Sequence, residues 1–306
     1  MQADKMFEID NSNLGEYTEV DIYFCGKNGK FGLFIPKNSE NDLSSINPDK
    51  QLYVNREDRL TLIKKWIKRD VNNVKAWYEE DPNKSKAYLF QVAKHFFMDK
   101  DKSIIEESKY LVNTMVLMFE KYPDTMEKLS FLPAKDFSLH YHNINVMLYC
   151  IDFAKKNKRT KDELVIAGLT GFLHDIGKID IDEEILMKVD TLTKSEITTI
   201  QNHPRLGIRI LKDCKIDERI IDVVWEHHER LDGSGYPRGK FAESLGMHSR
   251  LLAIIDSFDA LTSERPYKKR LSIMNAFKSL MEEADRGKYD SMILKQFAKC
   301  FIGTNL

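Results

Sequence analysis

Two carboxylates stand where a folded chain cannot leave them alone. Asp175 lies in GFLHDIGK and Asp256 in LLAIIDSFDAL, each inside an apolar run with helical spacing. An unpaired buried carboxylate is costly, so any fold that buries these runs has to bring partners to both. The chain has eight histidines. Five of them, His142, His174, His203, His227 and His228, fall on or at the end of a helical pattern beside apolar residues; His95, His140 and His248 are less clearly placed. One such histidine alone reads as an ordinary core or surface imidazole. As a constellation with two carboxylates, they compensate one another most naturally around metal ions. Helix bundles host such sites, because inward-facing side chains from several helices converge.

The rest of the chain supports that architecture. From about Lys128 onward the periodicity predicts helix after helix and no strand. One helix carries His142 with Val146, Met147 and Ile151. Leu164–Leu173 is another, closed by HDIGK with Gly177 as its expected C-terminal cap. Thr193 and Glu196 have capping-box spacing and open a helix expected to end near His203-Pro204. A further helix through Ile220, Val224 and Trp225 is expected to end at His227-His228, with Glu229 and Arg230 as its solvated end. Leu251–Leu261 and Ser272–Ala284 complete the set. The first part of the chain differs. YTEVDIYFC and KFGLFIPK flank GKNG as a β-hairpin, QLYVN is a third strand, and Arg59–Tyr78 is a helix. The expected fold class is therefore α+β overall: a small N-terminal α/β domain over 1–82, a helical linker over 83–127 and an all-α helical bundle over 128–306.

Length and charge narrow the function. A chain of 306 residues suits two domains, and a net charge of -1 gives no argument for a nucleic-acid polymer as partner. The four cysteines, Cys25, Cys150, Cys214 and Cys300, have no C-x-x-C spacing and read as free thiols in a reducing compartment. No signal peptide is legible, and no stretch approaches the about 18 apolar residues of a membrane span. A cytoplasmic protein is expected. The N-terminal part has neither a Gly-rich phosphate loop nor a receiver-type acidic cluster. Its architecture alone suits regulation or dimerisation, and Trp66, Tyr78, Phe90 and Phe96 read as core or interface.

Five blocks then carry a family resemblance: HNINV at His142, LHDIGKIDI at His174, NHPRLGIRIL at His203, HHERLDGSGYP at His227 and IIDSFDALTSERPYKK at Asp256. In order and spacing, residues 128–306 resemble the HD-GYP phosphodiesterases of the HD metallohydrolase superfamily. The resemblance implies that His142, His174, Asp175 and Asp256 form the basic metal set. It implies that His203, His227 and His228 hold a second ion, with Asp175 bridging. Ser138 stands where some members have a glutamate associated with a third metal, so a dinuclear centre is expected. Two departures from the family pattern, HNINV for His-Ser-x-Arg-Val and Lys268 after RPY where arginine is usual, leave the metal set intact. A nitrogen-rich site with a bridging carboxylate suits iron or manganese, as does the resemblance.

The implied substrate is cyclic di-GMP, opened to pGpG and cut further to GMP, which lowers a bacterial second messenger. Two neighbouring metal ions acidify a bridging water and supply a hydroxide for in-line attack on phosphorus. Lys178 matches the family lysine at the scissile phosphate, and Arg265 an arginine that contacts phosphate or guanine. Pro237 restricts Tyr236, which is expected to face either the pocket, as a substrate contact, or a partner. A GGDEF-type or other signalling protein at the GYP loop and a homodimer complete the expected partners. Two rival readings are a catalytically weak cyclic-dinucleotide sensor on an intact metal site and a diiron oxygenase. Lys178, Arg265 and the GYP loop favour phosphate chemistry over the oxygenase.

Overall fold

A computed structural model describes residues 6–9, 11–26, 29–39, 50–98, 102–130, 139–186, 188, 190–214, 216–264 and 269–302. The chain divides into two compact units, 1–66 and 67–306. In the first, strands β1 (Met6–Glu8), β2 (Ile22–Cys25), β3 (Phe31–Ile35) and β4 (Leu52–Asn55) form one antiparallel sheet in the order β1-β4-β2-β3. The expected hairpin is β2–β3, with Tyr23 opposite Leu33 and Cys25 opposite Phe31. Alternation puts Ile22, Ile35, Leu52 and Val54 into a core shared with Leu14, Val20 and Leu62. Trp66 packs against that core and meets Tyr17 edge-on at 5.5 Å. β1, at three residues, is too short to show a period in the sequence.

Helix α1 (Arg56–Trp77) follows β4 directly and contains the boundary between the units. Asn55 Oδ1 accepts the Asp58 N–H at 2.9 Å and caps it. α2 (Pro82–Met98) starts where DPNKS punctuates the chain. Pro82 occupies the first turn, where no N–H is needed, and Asp81 accepts the N–H groups of Asn83 and Lys84 at 3.1 Å. Then follow α3 (Glu107–Lys121), α4 (Thr125–Leu129), α5 (Leu139–Lys156), α6 (Lys161–Leu173), α7 (Glu183–Leu186), α8 (Lys194–Gln201), α9 (His203–Lys212), α10 (Glu218–Glu226), α11 (Met247–Thr262), α12 (Ile273–Asp285) and α13 (Ser291–Ile302).

α5 is the axis of the second unit: every residue from His142 to Ala154 is buried. A helix buried all round has to be covered on every side. α2, α3, α4, α6, α11 and α13 all pack against it. The segment expected as a linker is thus part of this packing, with Leu89, Phe96, Leu111, Met115 and Phe119 buried. On the other side, Tyr149 of α5 meets Phe258 of α11, which stacks on Phe277 of α12 and meets Phe297 of α13. Tyr78 and Phe96 are buried core residues, and Phe90 stacks on Tyr141. All four cysteines are free thiols. Among the described residues no helix is long and apolar enough to cross a membrane.

Candidate metal centre

Five helix ends and faces deliver the site. His142 comes from the first turn of α5, and His174 and Asp175 follow the last residue of α6. His203 is the first residue of α9, where a helix end was expected. Pro204 explains the difference: it continues poorly from a preceding helix but suits a first turn. α10 ends at Glu226, so His227 and His228 occupy the fraying end, and their rings can turn to one side with centroids 4.1 Å apart. Asp256 lies on α11.

Gly177 is not a helix cap. α6 ends at Leu173, and Gly177 sits inside a 3-10 turn, Ile176–Asp180. A Cβ there would lie 1.9 Å from His203 O and 2.5 Å from Gly207 N. The missing side chain lets the turn after Asp175 press against the start of α9, which is how Asp175 reaches His203.

The ligating atoms form two sets, each with all its members within 4.8 Å of one another: His142, His174 and Asp175 in one, and Asp175, His203, His227 and His228 in the other. Asp175 belongs to both. Its Oδ2 lies 3.5 Å from His174 Nε2 and 3.6 Å from His142 Nε2. Its Oδ1 lies 3.1 Å from His203 Nε2 and 3.8 Å from His227 Nε2. Asp256 also spans the sets, with Oδ1 3.2 Å from His142 Nε2 and Oδ2 3.5 Å from His228 Nδ1. His95 instead pairs with Asp70 at 3.4 Å, His140 meets the rings of Phe90 and Phe97, and His248 is exposed.

The tautomers argue for cations. His174, His203 and His227 point Nδ1 at the carbonyls of Gly171, Ile200 and Val224 at 2.7–2.8 Å. A carbonyl only accepts, so each Nδ1 carries a proton, and in the neutral ring the Nε2 lone pair turns inward. His203 Nε2 and His227 Nε2 are nevertheless 3.1 Å apart. Two lone pairs hold that distance when a cation lies between them. Asp175 Oδ1 is buried without a hydrogen-bond donor, and such an orphaned carboxylate oxygen has the same need. The residues therefore fit a pair of metal ions.

Electrostatics agree. Burial depresses His174, His227 and His228 below the ordinary imidazole range. Burial would raise Asp175, but the Lys178 ammonium beside it acts in the opposite direction, and the carboxyl is held well below its usual value. Burial likewise opposes ionised Asp256, and His142 and His228 outweigh it. Burial disfavours a charged His142, yet hydrogen bonds to Asp256 and Asp259 push it up to about 9. A proton on His142 Nε2 competes with a metal for the same lone pair.

Lys178 Nζ touches Asp175 Oδ2 at 2.5 Å. Tyr236 stacks its ring on His228. Arg265 and Lys268 lie outside the described residues, as does Ser138.

Two participants were not foreseen. Asp259, one turn beyond Asp256, is fully buried; its Oδ2 accepts from His142 Nδ1 at 2.8 Å and its Oδ1 from Asn145 Nδ2 at 2.8 Å. A second acid three residues along the same apolar run was the available signal. Glu229 was expected to be solvated, but it is 2% exposed. Its two oxygens accept the N–H groups of Arg238 and Lys240 at 2.8 and 2.9 Å, tying the following loop to the helix end. Arg230 is half-buried over the ring of Tyr289.

The family described as HD domain matches residues 123–293, a segment that contains every residue of both sets. The chain is 34% identical over 190 residues to a cyclic di-GMP phosphodiesterase of Pseudomonas aeruginosa, covering 62% of this chain and 45% of that protein. It is 32% identical over 206 residues to a cyclic di-GMP phosphodiesterase of Thermotoga maritima, covering 65% and 55%. It is 36% identical over 152 residues to the 3'3'-cGAMP-specific phosphodiesterase 1 of Vibrio cholerae, covering 50% and 35%. The chain thus spans about a third to just over half of these relatives' lengths. In structure it is similar to Bd1817, an HDG"Y"P protein from Bdellovibrio bacteriovorus, with a TM-score of 0.63 and 16% identity over 96% of this chain and 98% of that one. That likeness extends the shared fold beyond the matched segment. With more than half of its length matched, and with the buried histidines and aspartates inside the match, the chain belongs to the HD domain family.

Proposed function

We propose that this chain hydrolyses a phosphodiester bond of a cyclic dinucleotide, cyclic di-GMP first among them, with two iron or manganese ions. One observation carries the proposal: a single carboxylate, Asp175, offers one oxygen to each of two histidine sets. Two ions held so close would supply the charge that acidifies a water and polarises the phosphodiester. His142, His174, Asp175 and Asp256 would hold one ion, and Asp175, His203, His227 and His228 the other. Asp259 keeps the proton of His142 on Nδ1 and so frees Nε2. Lys178 is 18% exposed, and its four-carbon stem would let it leave Asp175 for a bound phosphate, steady its charge and pass a proton to the departing oxygen. Arg265 is proposed to contact phosphate or base, and the N-terminal sheet unit to carry regulation.

The experiment is an anaerobic incubation of the manganese- and iron-loaded protein with cyclic di-GMP and, separately, 3'3'-cGAMP, following linear dinucleotide and mononucleotide. Release of linear product without oxygen by the wild type, and its loss in Asp175→Ala, is the expected result. Equal product from both proteins would sink the role of Asp175. Bound but uncleaved nucleotide would convert the protein into a sensor, and a requirement for oxygen would favour the oxygenase.

A further inference from the structure

His228 is held unlike the other imidazoles of the cluster. His142 gives its Nδ1 proton to a carboxylate, and His174, His203 and His227 give theirs to backbone carbonyls. Among the described residues neither ring nitrogen of His228 makes a hydrogen bond; Nδ1 only faces Asp256 Oδ2 at 3.5 Å. A metal-binding histidine ordinarily has its second nitrogen fixed in this way, which sets the plane of the ring. Here the plane is set by rings. Tyr236 stacks on His228 with centroids 4.6 Å apart and planes 29° from parallel, and the His203 ring meets it edge-on at 5.0 Å.

Tyr236 is itself held in place from three directions. Its N–H donates to His228 O at 3.2 Å. Gly235 lies so close to the backbone at 228–230 that a Cβ would be 2.4 Å from Arg230 N and 2.5 Å from His228 O. Glu229 accepts the N–H groups of Arg238 and Lys240 on the far side of the loop. The stretch HHERLDGSGYPRGK therefore folds back on its own first residues, and the tyrosine lands on the second histidine.

We propose that Tyr236 is a positioning residue for His228: its ring face fixes the imidazole plane and thereby the affinity of the ion held by His203, His227, His228 and Asp175. This role is separate from the expected substrate contact, and it rests on the metal-centre reading. The contact uses the ring face, so an aromatic ring is required and the hydroxyl is not.

The test is manganese binding by the purified full chain, with stoichiometry and both affinities from calorimetry against a competing chelator, and spin coupling of the ion pair from electron paramagnetic resonance. Wild type and Tyr236→Phe are expected to bind two ions with a coupled signal. Tyr236→Ala is expected to keep the affinity at the His142–His174–Asp175 set and to lose about 10-fold at the other set, with the coupled signal reduced to match. Tyr236→Leu, which keeps bulk and protects the loop from collapse, is expected to behave as Tyr236→Ala. Two ions bound with wild-type affinities by both Ala and Leu variants would overturn the inference alone. A loss equal in Tyr236→Phe would overturn it too, because the hydroxyl would then be the operative group. A wild type that binds fewer than two ions would overturn the metal-centre reading, and this inference with it.

Discussion

Replacing Asp259 tests whether the centre depends on a residue that would touch no metal. In Asp259→Ala, His142 Nδ1–H and Asn145 Nδ2 both lose an acceptor 2.8 Å away in a fully buried place. Each orphaned donor costs about 1–3 kcal/mol, offset in part by no longer burying a carboxylate. His142 is also freed to move its proton to Nε2, the atom that faces His174 and Asp256. Affinity at the His142–His174–Asp175 set should fall about 10–100-fold, the usual effect of removing such a partner. Asp259→Asn is more informative. Its carbonyl oxygen still accepts from His142, and Asn145 can flip to accept from the new amide, so both hydrogen bonds survive and only the charge is lost. A charge-assisted hydrogen bond is about twice as strong as a neutral one. The loss is then of order 1 kcal/mol, or about 5–10-fold in affinity, with little change in melting temperature. Metal titration by calorimetry and a thermal melt on all three proteins check this. Wild-type metal affinity in Asp259→Ala, within twofold, would refute the reasoning.

Two further perturbations probe the frame around the site. Gly177→Ala places a methyl group against the backbone of His203 and Gly207, neither of which can swing aside. A destabilisation of about 3 kcal/mol or more, seen as a fall in melting temperature of roughly 6–12 °C, should come with loss of the ion at the His203 side. Glu196 is held at about 2 by Lys188 and by the Thr193 N–H, against an ordinary value of 4.5. A depressed carboxyl stabilises the fold above its unfolded value and loses that contribution as pH falls from about 4.5 towards 2. The melting-temperature gap between wild type and Glu196→Gln should therefore be present at pH 7 and close across that window; a gap independent of pH would contradict the assignment.

What the sequence disclosed was governed by how local each signal is. Asp175 and Asp256 were conspicuous because charge inside an apolar run has to be answered within the fold, and the capping box at Thr193 and Glu196 is written in four consecutive residues. Asp259 sat in the same apolar run as Asp256 and was passed over, since the partner that gives it a role is 117 residues away. Glu229 looked solvated because an acid after a helix end ordinarily is; its acceptors' donors are backbone N–H groups nine and eleven residues on, which no side-chain pattern records. His203 opens α9 instead of closing α8, and Pro204 is the local mark of that start. Gly177 was given the commonest glycine role, while its real constraint comes from a helix 26 residues further along.

The shared Asp175 carboxylate also has a thermodynamic consequence. An ion that took one oxygen would fix the Asp175 carboxylate further, and the other oxygen already faces the remaining histidines. Capture of one ion would lower the ordering cost of a second, while repulsion between the ions would oppose it. Whichever term is larger, the coupling is reciprocal: any change that one ion makes to the affinity of the other is returned by the same factor. With two ions bound, the share of half-loaded protein would be set by this one residue, whichever sign the coupling takes.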